Sequence, residues 1–376
     1  MTSKVDDAEL LWRNLDEAEY HNRRRYEALF HKLKLLVYFF LVIVTAVLIF
    51  NALSLYFISK ATGHLSLPKS SDAYEGYLKR FPEKSFKLQK VVDRSAVYKK
   101  NIEFINELND RAGDTVFGEN QFTDWTEEEF KKILLPHSFD RDVLQNKSLF
   151  STYAPLSHNF YAPPSVDWRE KKVITPVKDQ GNCGSCWAFA TTGVVESMNA
   201  IRKKADPVRV SEQELVDCDL SNFGCQGGNL ILSLNYVSHR GLMAEAKYPY
   251  KAEMGDCAKT GYQSKVKNIL MIPQNETLLT EYLSQVGPFS VSMNVTKEFR
   301  SYKSGVFHPT EEDCRTKSIG GHAMLVVGYG TSDKGEKYWI VKNSWGDKWG
   351  AESGYLHFVR GENRCGIEEY CVAALV

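Results

Sequence analysis

Residues 35 to 59, LLVYFFLVIVTAVLIFNALSLYFIS, carry no charged side chain, and this run constrains how the rest of the 376-residue chain is organised. As a helix rising about 1.5 Å per residue it would extend about 37 Å, longer than a bilayer's hydrocarbon core, so a tilted transmembrane helix is expected. A cleaved secretory signal is the competing reading; the 34-residue leader ahead of the run, and the run's own length, count against it. Arg23, Arg24, Arg25, Lys32 and Lys34 flank the N-terminal side, against only Lys60 and Lys69 on the other, which keeps the N-terminus cytosolic. Residues 1–34 then form a cytosolic tail, 35–59 an uncleaved signal anchor, and the remainder of a single-pass type II protein is lumenal or extracellular. Three N-x-S/T sequons, at Asn146, Asn275 and Asn294, fall on that side. Lys plus Arg number 47 and Asp plus Glu 47, a balance that excludes a basic nucleic-acid binder.

All eight cysteines, at 183, 186, 218, 225, 257, 314, 365 and 371, lie in the part placed outside the cytosol, which points to disulfides. A helix is expected from Ser185 onward through CWAFATTGVVESMNAIRKK, apolar at 187, 189, 194, 195, 198 and 201 and basic at its end. Later runs, PFSVSMNV, HAMLVVGYG, KYWIVKNSW and YLHFVRG, are short, β-branched and aromatic and read as antiparallel strands. The region from 162 is therefore α+β, a helical lobe followed by a mostly β lobe. Upstream, Val97, Asn101, Ile105 and Asn109 recur on one helix face, GENQFTD spans Gly118 to Asp124, and Thr126 with Glu129 makes a capping box. From Lys131 to Tyr161 periodicity fades and prolines stand at 136, 155, 163 and 164, which reads as a connecting segment open to proteolysis.

The chemistry gathers around PVKDQGNCGSCWAF. Cys186 opens the expected helix, where the dipole and free N–H groups favour a thiolate. Alone, a C-x-x-C run fits a disulfide, zinc or redox cysteine equally well; zinc would want further ligands at ligand spacing and a redox site a βαβ context, and neither is present. His322 in GGHAMLVVGYG and Asn343 in VKNSWG supply a base and an amide to orient it, the thiol version of nucleophile, base and orienter.

QGNCGSCWAF, GCQGG, GHAMLVVGYG and KNSWG together resemble a papain-family cysteine protease of the cathepsin L type, from about Ser70 to the C-terminus. The interspersed propeptide pattern of that family is similar to Lys90, Arg94, Tyr98, Asn101, Ile105 and Asn109, with Lys in place of Glu and Tyr in place of Phe. The Lys replaces a Glu–Arg pairing on the helix by two like charges. The second propeptide motif is intact at Gly118, Asn120, Phe122 and Asp124.

The resemblance implies a papain-like two-lobe fold: a helical left lobe and an antiparallel β-barrel right lobe over residues 162–376, preceded by a helical inhibitory propeptide at 60–161 and the transmembrane helix. It implies that Cys186 is the nucleophile, His322 the base and later acid, and Asn343 the orienter. Gln180 would form the oxyanion hole with the Cys186 N–H, and Trp345 would cover the His322 to Asn343 bond. Gly227 and Gly228 would bind an extended peptide, while Leu230, Ser292, Gly321 and Tyr370 would line an apolar second specificity pocket. The pairs 183–225, 218–257 and 314–365 would be disulfides. Cys371 is left over, a buried thiol or an intermolecular linker, near Tyr370 and so near the pocket wall. The 32 residues from Cys225 to Cys257 leave no room for an occluding loop, which implies an endopeptidase. No cofactor or metal is implied.

Partners implied are protein and peptide substrates, the chain's own propeptide, cystatin-like inhibitors, and the membrane through 35–59. The anchor makes the chain similar to protozoan zymogens of a lysosome-like, food-vacuole or other endosomal compartment, released by acid. The propeptide's acidic side chains, Asp124 among them, are the candidates for a pH release; if Asp124 is ionised and paired in the zymogen its pKa is depressed, and the stabilisation it gives is lost as pH falls through that value. The competing class is a catalytically silent homologue serving as a membrane adhesion or scaffold protein.

Overall fold

The computed structural model describes residues 72–82, 92–114, 116–136, 143–156, 160–258 and 263–376. Residues 1–34, expected as a cytosolic tail, and the 35–59 run lie outside them, as does Lys90. Among the described residues no helix is long and apolar enough to cross a membrane.

The N-terminal part is helical: α1 (Asp72–Arg80), α2 (Arg94–Ala112) and α3 (Glu127–Lys131). Helix α2 begins at Arg94 because the Asp93 carboxylate accepts from the Ala96 N–H, and it ends at Gly113, left-handed at φ 65°. In α3, Thr126 accepts from the Glu129 N–H while the Glu129 carboxylate accepts from the Thr126 N–H, the reciprocal box its spacing predicts. Arg94 clamps Glu129, with Nη1 at 2.7 Å from Oε2 and Nη2 at 2.5 Å from Oε1.

Two short strands, β1 (Ser151–Thr152) and β2 (Val166–Asp167), lead into helices α4 (Cys186–Lys203), α5 (Glu212–Cys218) and α6 (Leu230–Arg240). Thereafter come β3 (Asn268–Ile272), α7 (Glu276–Gln285), β4 (Phe289–Thr296), β5 (Val306–Phe307), α8 (Glu311–Thr316), β6 (Ser318–Thr331), β7 (Lys337–Lys342), β8 (Tyr355–Val359) and β9 (Tyr370–Leu375). The sheet order is β1-β3-β9-β4-β6-β7-β8-β5, with β2 on β6; β1–β3 and β5–β8 are parallel and the rest antiparallel. Where an antiparallel barrel is expected, the ladder runs as an open path, without a hydrogen bond joining β1 to β5 among the described residues.

Helix α4 is buried nearly all round, because its Ala, Gly and Val positions let the sheet approach; a Cβ on Gly193 would stand 3.0 Å from Leu325. Two apolar cores result. One packs α4, α6 and one face of β9 and β6, with Val194, Leu234, Leu325 and Val372 inside. The other fills the β lobe and takes in Phe122, Trp125, Phe130, Ile133 and Leu134 from upstream, so the N-terminal helices share a core with the β lobe. The disulfides Cys183–Cys225, Cys218–Cys257 and Cys314–Cys365 form as the resemblance implies. Cys371 is a buried thiol, its pKa pushed up by burial. It faces the β-lobe core while Tyr370, one residue earlier on the strand, faces the other core, so it does not reach the pocket wall.

Candidate active site

Cys186 is the first residue of α4 and is fully buried. Its N-cap, Ser185, offers no side-chain cap, because its hydroxyl is spent on Tyr250 Oη at 2.6 Å; the first-turn N–H groups are left to favour a thiolate. The Ala323 N–H donates to Cys186 Sγ at 3.5 Å, which brings the thiol against β6 next to His322. His322 Nε2 donates to Asn343 Oδ1 at 2.7 Å, and that oxygen also accepts from the Ser344 N–H at 2.7 Å, fixing the carboxamide's orientation. Among the described residues, the buried His322 Nδ1 has no hydrogen-bond partner. The Trp345 ring stacks on the imidazole, centroids 4.4 Å apart and 28° from parallel. Burial, against the opposing pull of the Asn343 bond, takes the His322 pKa down to about 4, so the ring is neutral here.

Gln180 joins this group across the sequence. Its Oε1 accepts from Ser344 Oγ at 2.7 Å and its backbone N–H donates to the Ser344 carbonyl at 2.8 Å, which leaves Nε2 to reach other acceptors. It donates to the carbonyls of Cys183 and Ile133, each at 2.9 Å. Ile133 belongs to the upstream segment, and the next residues continue along the same groove. Leu135 exchanges two backbone hydrogen bonds with Gly321, 2.7 and 2.8 Å, and Pro136 packs on Gly227, where φ of 118° requires glycine. The stretch read from sequence as the start of a loose connector is thus a peptide already seated in the cleft.

Leu230, Tyr370 and Ala323 share a buried core with Leu135, and Ser292 pairs with both Ala323 and Tyr370 across β4. Tyr370 Oη donates to Asn229 Oδ1 at 3.1 Å, the oxygen that caps α6 just ahead of Leu230. Of the expected pocket residues, Leu230 and Tyr370 therefore lie in the same core as Leu135, Ser292 is cross-strand to Tyr370, and Gly321 pairs with Leu135 directly. The two glycines behave differently. Gly227 meets the seated segment by apolar contact, and Gly228 is backed by Trp187, 2.5 Å from where a Cβ would lie. The backbone pairing in the groove runs through Gly321.

Several partners were invisible to sequence reasoning. Ser344, which aims Gln180, lies inside KNSWG and could have been weighed there. Gln121 Nε2 donates to the Trp345 carbonyl at 2.5 Å, while Phe122 and Phe130 set their edges on the Trp345 ring at 5.4 and 5.3 Å. Arg300 is buried and donates to the Trp125 carbonyl at 3.0 Å and to Asn101 Oδ1 at 2.8 Å, its pKa lowered to about 10 by burial.

Asp124 accepts from Tyr74 and Tyr77 hydroxyls at 3.1 and 3.0 Å. Burial nevertheless outweighs these donors and raises its pKa, which overturns the expectation of a depressed value. A buried carboxyl that does fall is Glu129: burial pushes it up, and the Arg94 clamp with the Thr126 N–H more than reverses that.

Residues 162–375 match the papain family cysteine proteases, and residues 74–130 the cathepsin propeptide inhibitor domain (I29). A cathepsin L-like proteinase of Fasciola hepatica is 39% identical over 285 residues, 73% of this chain and 84% of that protein. Cathepsin F of Drosophila melanogaster is 38% identical over 293 residues, 75% of this chain and 47% of that protein. The solved digestive procathepsin L 3 from Tenebrio molitor larval midgut superposes with a TM-score of 0.71 at 30% identity, over 82% of this chain and all of that one. With a thiol, an imidazole and an amide assembled beneath its own upstream segment, the chain belongs to the papain family of cysteine proteases and is a zymogen carrying its propeptide.

Proposed function

We propose that Cys186, His322, Asn343 and Gln180 carry the peptide hydrolysis of this cysteine endopeptidase. Proton transfer from Cys186 to His322 Nδ1 gives a thiolate and an imidazolium, the latter held by Asn343. The thiolate attacks the peptide carbonyl, and Gln180 Nε2 with the Cys186 N–H holds the oxyanion, a donor of this kind being worth roughly 3 kcal/mol. His322 then protonates the leaving amine, and water, activated by the same imidazole, hydrolyses the thioester. Trp345 keeps water from the His322–Asn343 bond. The observation that carries this is the Ile133 carbonyl resting on Gln180 Nε2, where a substrate carbonyl would be activated. Replacing Cys186 by Ala in the purified zymogen tests it: self-processing in acid should stop, and continued processing would refute the assignment. The silent-homologue reading has no support in a constellation with every member present.

We further propose that residues 60–161 act as the intramolecular inhibitor and are removed near Tyr161 to Pro164, Tyr161 being 90% exposed. Leu230 and Tyr370 favour an apolar residue in the second specificity pocket, and the short Cys225 to Cys257 segment favours cleavage within chains. Residues 35–59 would anchor the zymogen as a type II membrane protein, its protease domain in a lysosome-like, food-vacuole or endosomal lumen, where cystatin-like proteins could inhibit it. The uncharged run and its basic N-terminal flank support this. Protease protection of sealed microsomes tests it: a shielded C-terminal region agrees, a degraded one does not.

A further inference from the structure

Of the three sequons, Asn294-Val295-Thr296 occupies a different kind of place from the other two. Asn146 lies in the segment proposed for removal, and Asn275 is the N-cap of α7, its side chain accepting from the Leu278 N–H at 3.1 Å. Asn294 stands in β4, exposed, and its carboxamide makes no hydrogen bond among the described residues.

The register of β4 fixes which way it faces. Met293 and Val295 enter the β-lobe core, so Ser292 and Asn294 share the opposite face. Ser292 is opposite Ala323 and Tyr370, residues of the core that receives Leu135. Asn294 is opposite Gly321, the residue before His322. Gly321 turns both its backbone hydrogen bonds towards Leu135, so its pairing with Asn294 is the closer, non-hydrogen-bonded kind, with Cα atoms about 4.5 Å apart. From Asn294 across Gly321 to the peptide seated in the groove is then two strand spacings, about 10 Å. No side chain on Gly321 stands between them.

We propose that Asn294 is an N-glycosylation site whose glycan stands at the rim of the substrate groove and limits entry of folded protein chains. In the transfer, Asn294 Nδ2 forms a bond to the anomeric carbon of an oligosaccharide carried on a lipid diphosphate. The bond from that carbon to the diphosphate breaks, the lipid diphosphate leaves with its electron pair, and the carboxamide gives up one proton. Because Asn294 is exposed with the propeptide in place, the modified chain still closes as a zymogen. The inference rests on the lumenal placement of the protease domain.

The test is peptide mapping of the full chain made in a eukaryotic secretory host, after enzymatic deglycosylation in heavy-oxygen water. Labelled aspartate at position 294 is the expected result. Label at 146 or 275 with none at 294 overturns this inference and leaves the lumenal placement standing; label at none of the three sequons overturns both. In a second arm, mature Asn294→Gln enzyme should cleave a small peptide–dye substrate as the wild type does and a folded protein substrate several-fold faster. Equal rates on the folded substrate would overturn the gating role, and an equal rise on both substrates would do so too.

Discussion

Gln180 Nε2 lies 2.9 Å from the carbonyl oxygen of Ile133, so a donor aimed at the scissile position is occupied by the chain's own propeptide. The contact links latency to catalysis through one amide. Gln180→Ala should lower kcat of the mature enzyme by about 10²- to 10³-fold, the usual loss for one oxyanion donor. KM for small peptides should change little, and inhibition by added propeptide should weaken as well. Steady-state kinetics on the wild type and this variant checks this; a KM effect with kcat intact would remove Gln180 from the transition state.

Acid release follows from two groups of the closed zymogen. His322 is held near 4, below its ordinary 6.5, so closure excludes a proton that an opened site would take up; closure weakens as pH falls from 6.5 towards 4. Glu129 is a carboxylate held below its ordinary value, and the stability it lends is present above that value and lost as pH falls through the lowered one. Asp124 has the opposite sign: with its pKa raised, its contribution is present at low pH and fades as pH rises. Asp124→Asn should therefore keep latency at neutral pH, whereas Glu129→Gln should lose it. Removing one partner of the largely buried Arg94–Glu129 pair costs about 3–5 kcal/mol. Latent fraction against pH for both variants is the measurement, and premature activity of Asp124→Asn alone would reverse the assignment.

Phe130 is fully buried, edge-on to Trp345 and beneath Arg300. Truncation to Ala should cost about 3–5 kcal/mol of propeptide docking and make the zymogen leaky, without changing kcat once the propeptide is gone. Propeptide inhibition constants and mature-enzyme kinetics together distinguish this from general misfolding.

In a peptide library, the second residue on the N-terminal side of the scissile bond should be Leu-like rather than Arg, because Leu230 and Tyr370 share an apolar core with Leu135 and bring no acid to the pocket. Arginine outranking leucine there would contradict the pocket as built.

Much of this architecture was readable from residue types. The β-branched and aromatic runs became β4, β6, β7 and β8, the Thr126 and Glu129 spacing became a cap, and CWAFATTGVVESMNAIRK became α4. Cys186, His322, Asn343 and Gln180, separated by up to 163 positions in the chain, do converge in space. The seating of Ile133 to Pro136 was hidden because its partners, Gln180, Gly227 and Gly321, are distant in the chain, and the backbone pairing of Leu135 with Gly321 leaves no side-chain signature. The direction of the Asp124 pKa was hidden because burial by α1 and α2 decides it, and burial is a tertiary property.

The central claim is that Cys186 is a nucleophile kept latent by residues 133 to 136. A thiol-directed epoxide, followed by mass mapping of the labelled peptide, tests it most directly. The acid-matured enzyme should carry the label on Cys186 and lose peptide hydrolysis in proportion, while the closed zymogen at neutral pH stays unlabelled. Matured protein that escapes the label, or that hydrolyses peptides unchanged after Cys186→Ala, would contradict the account.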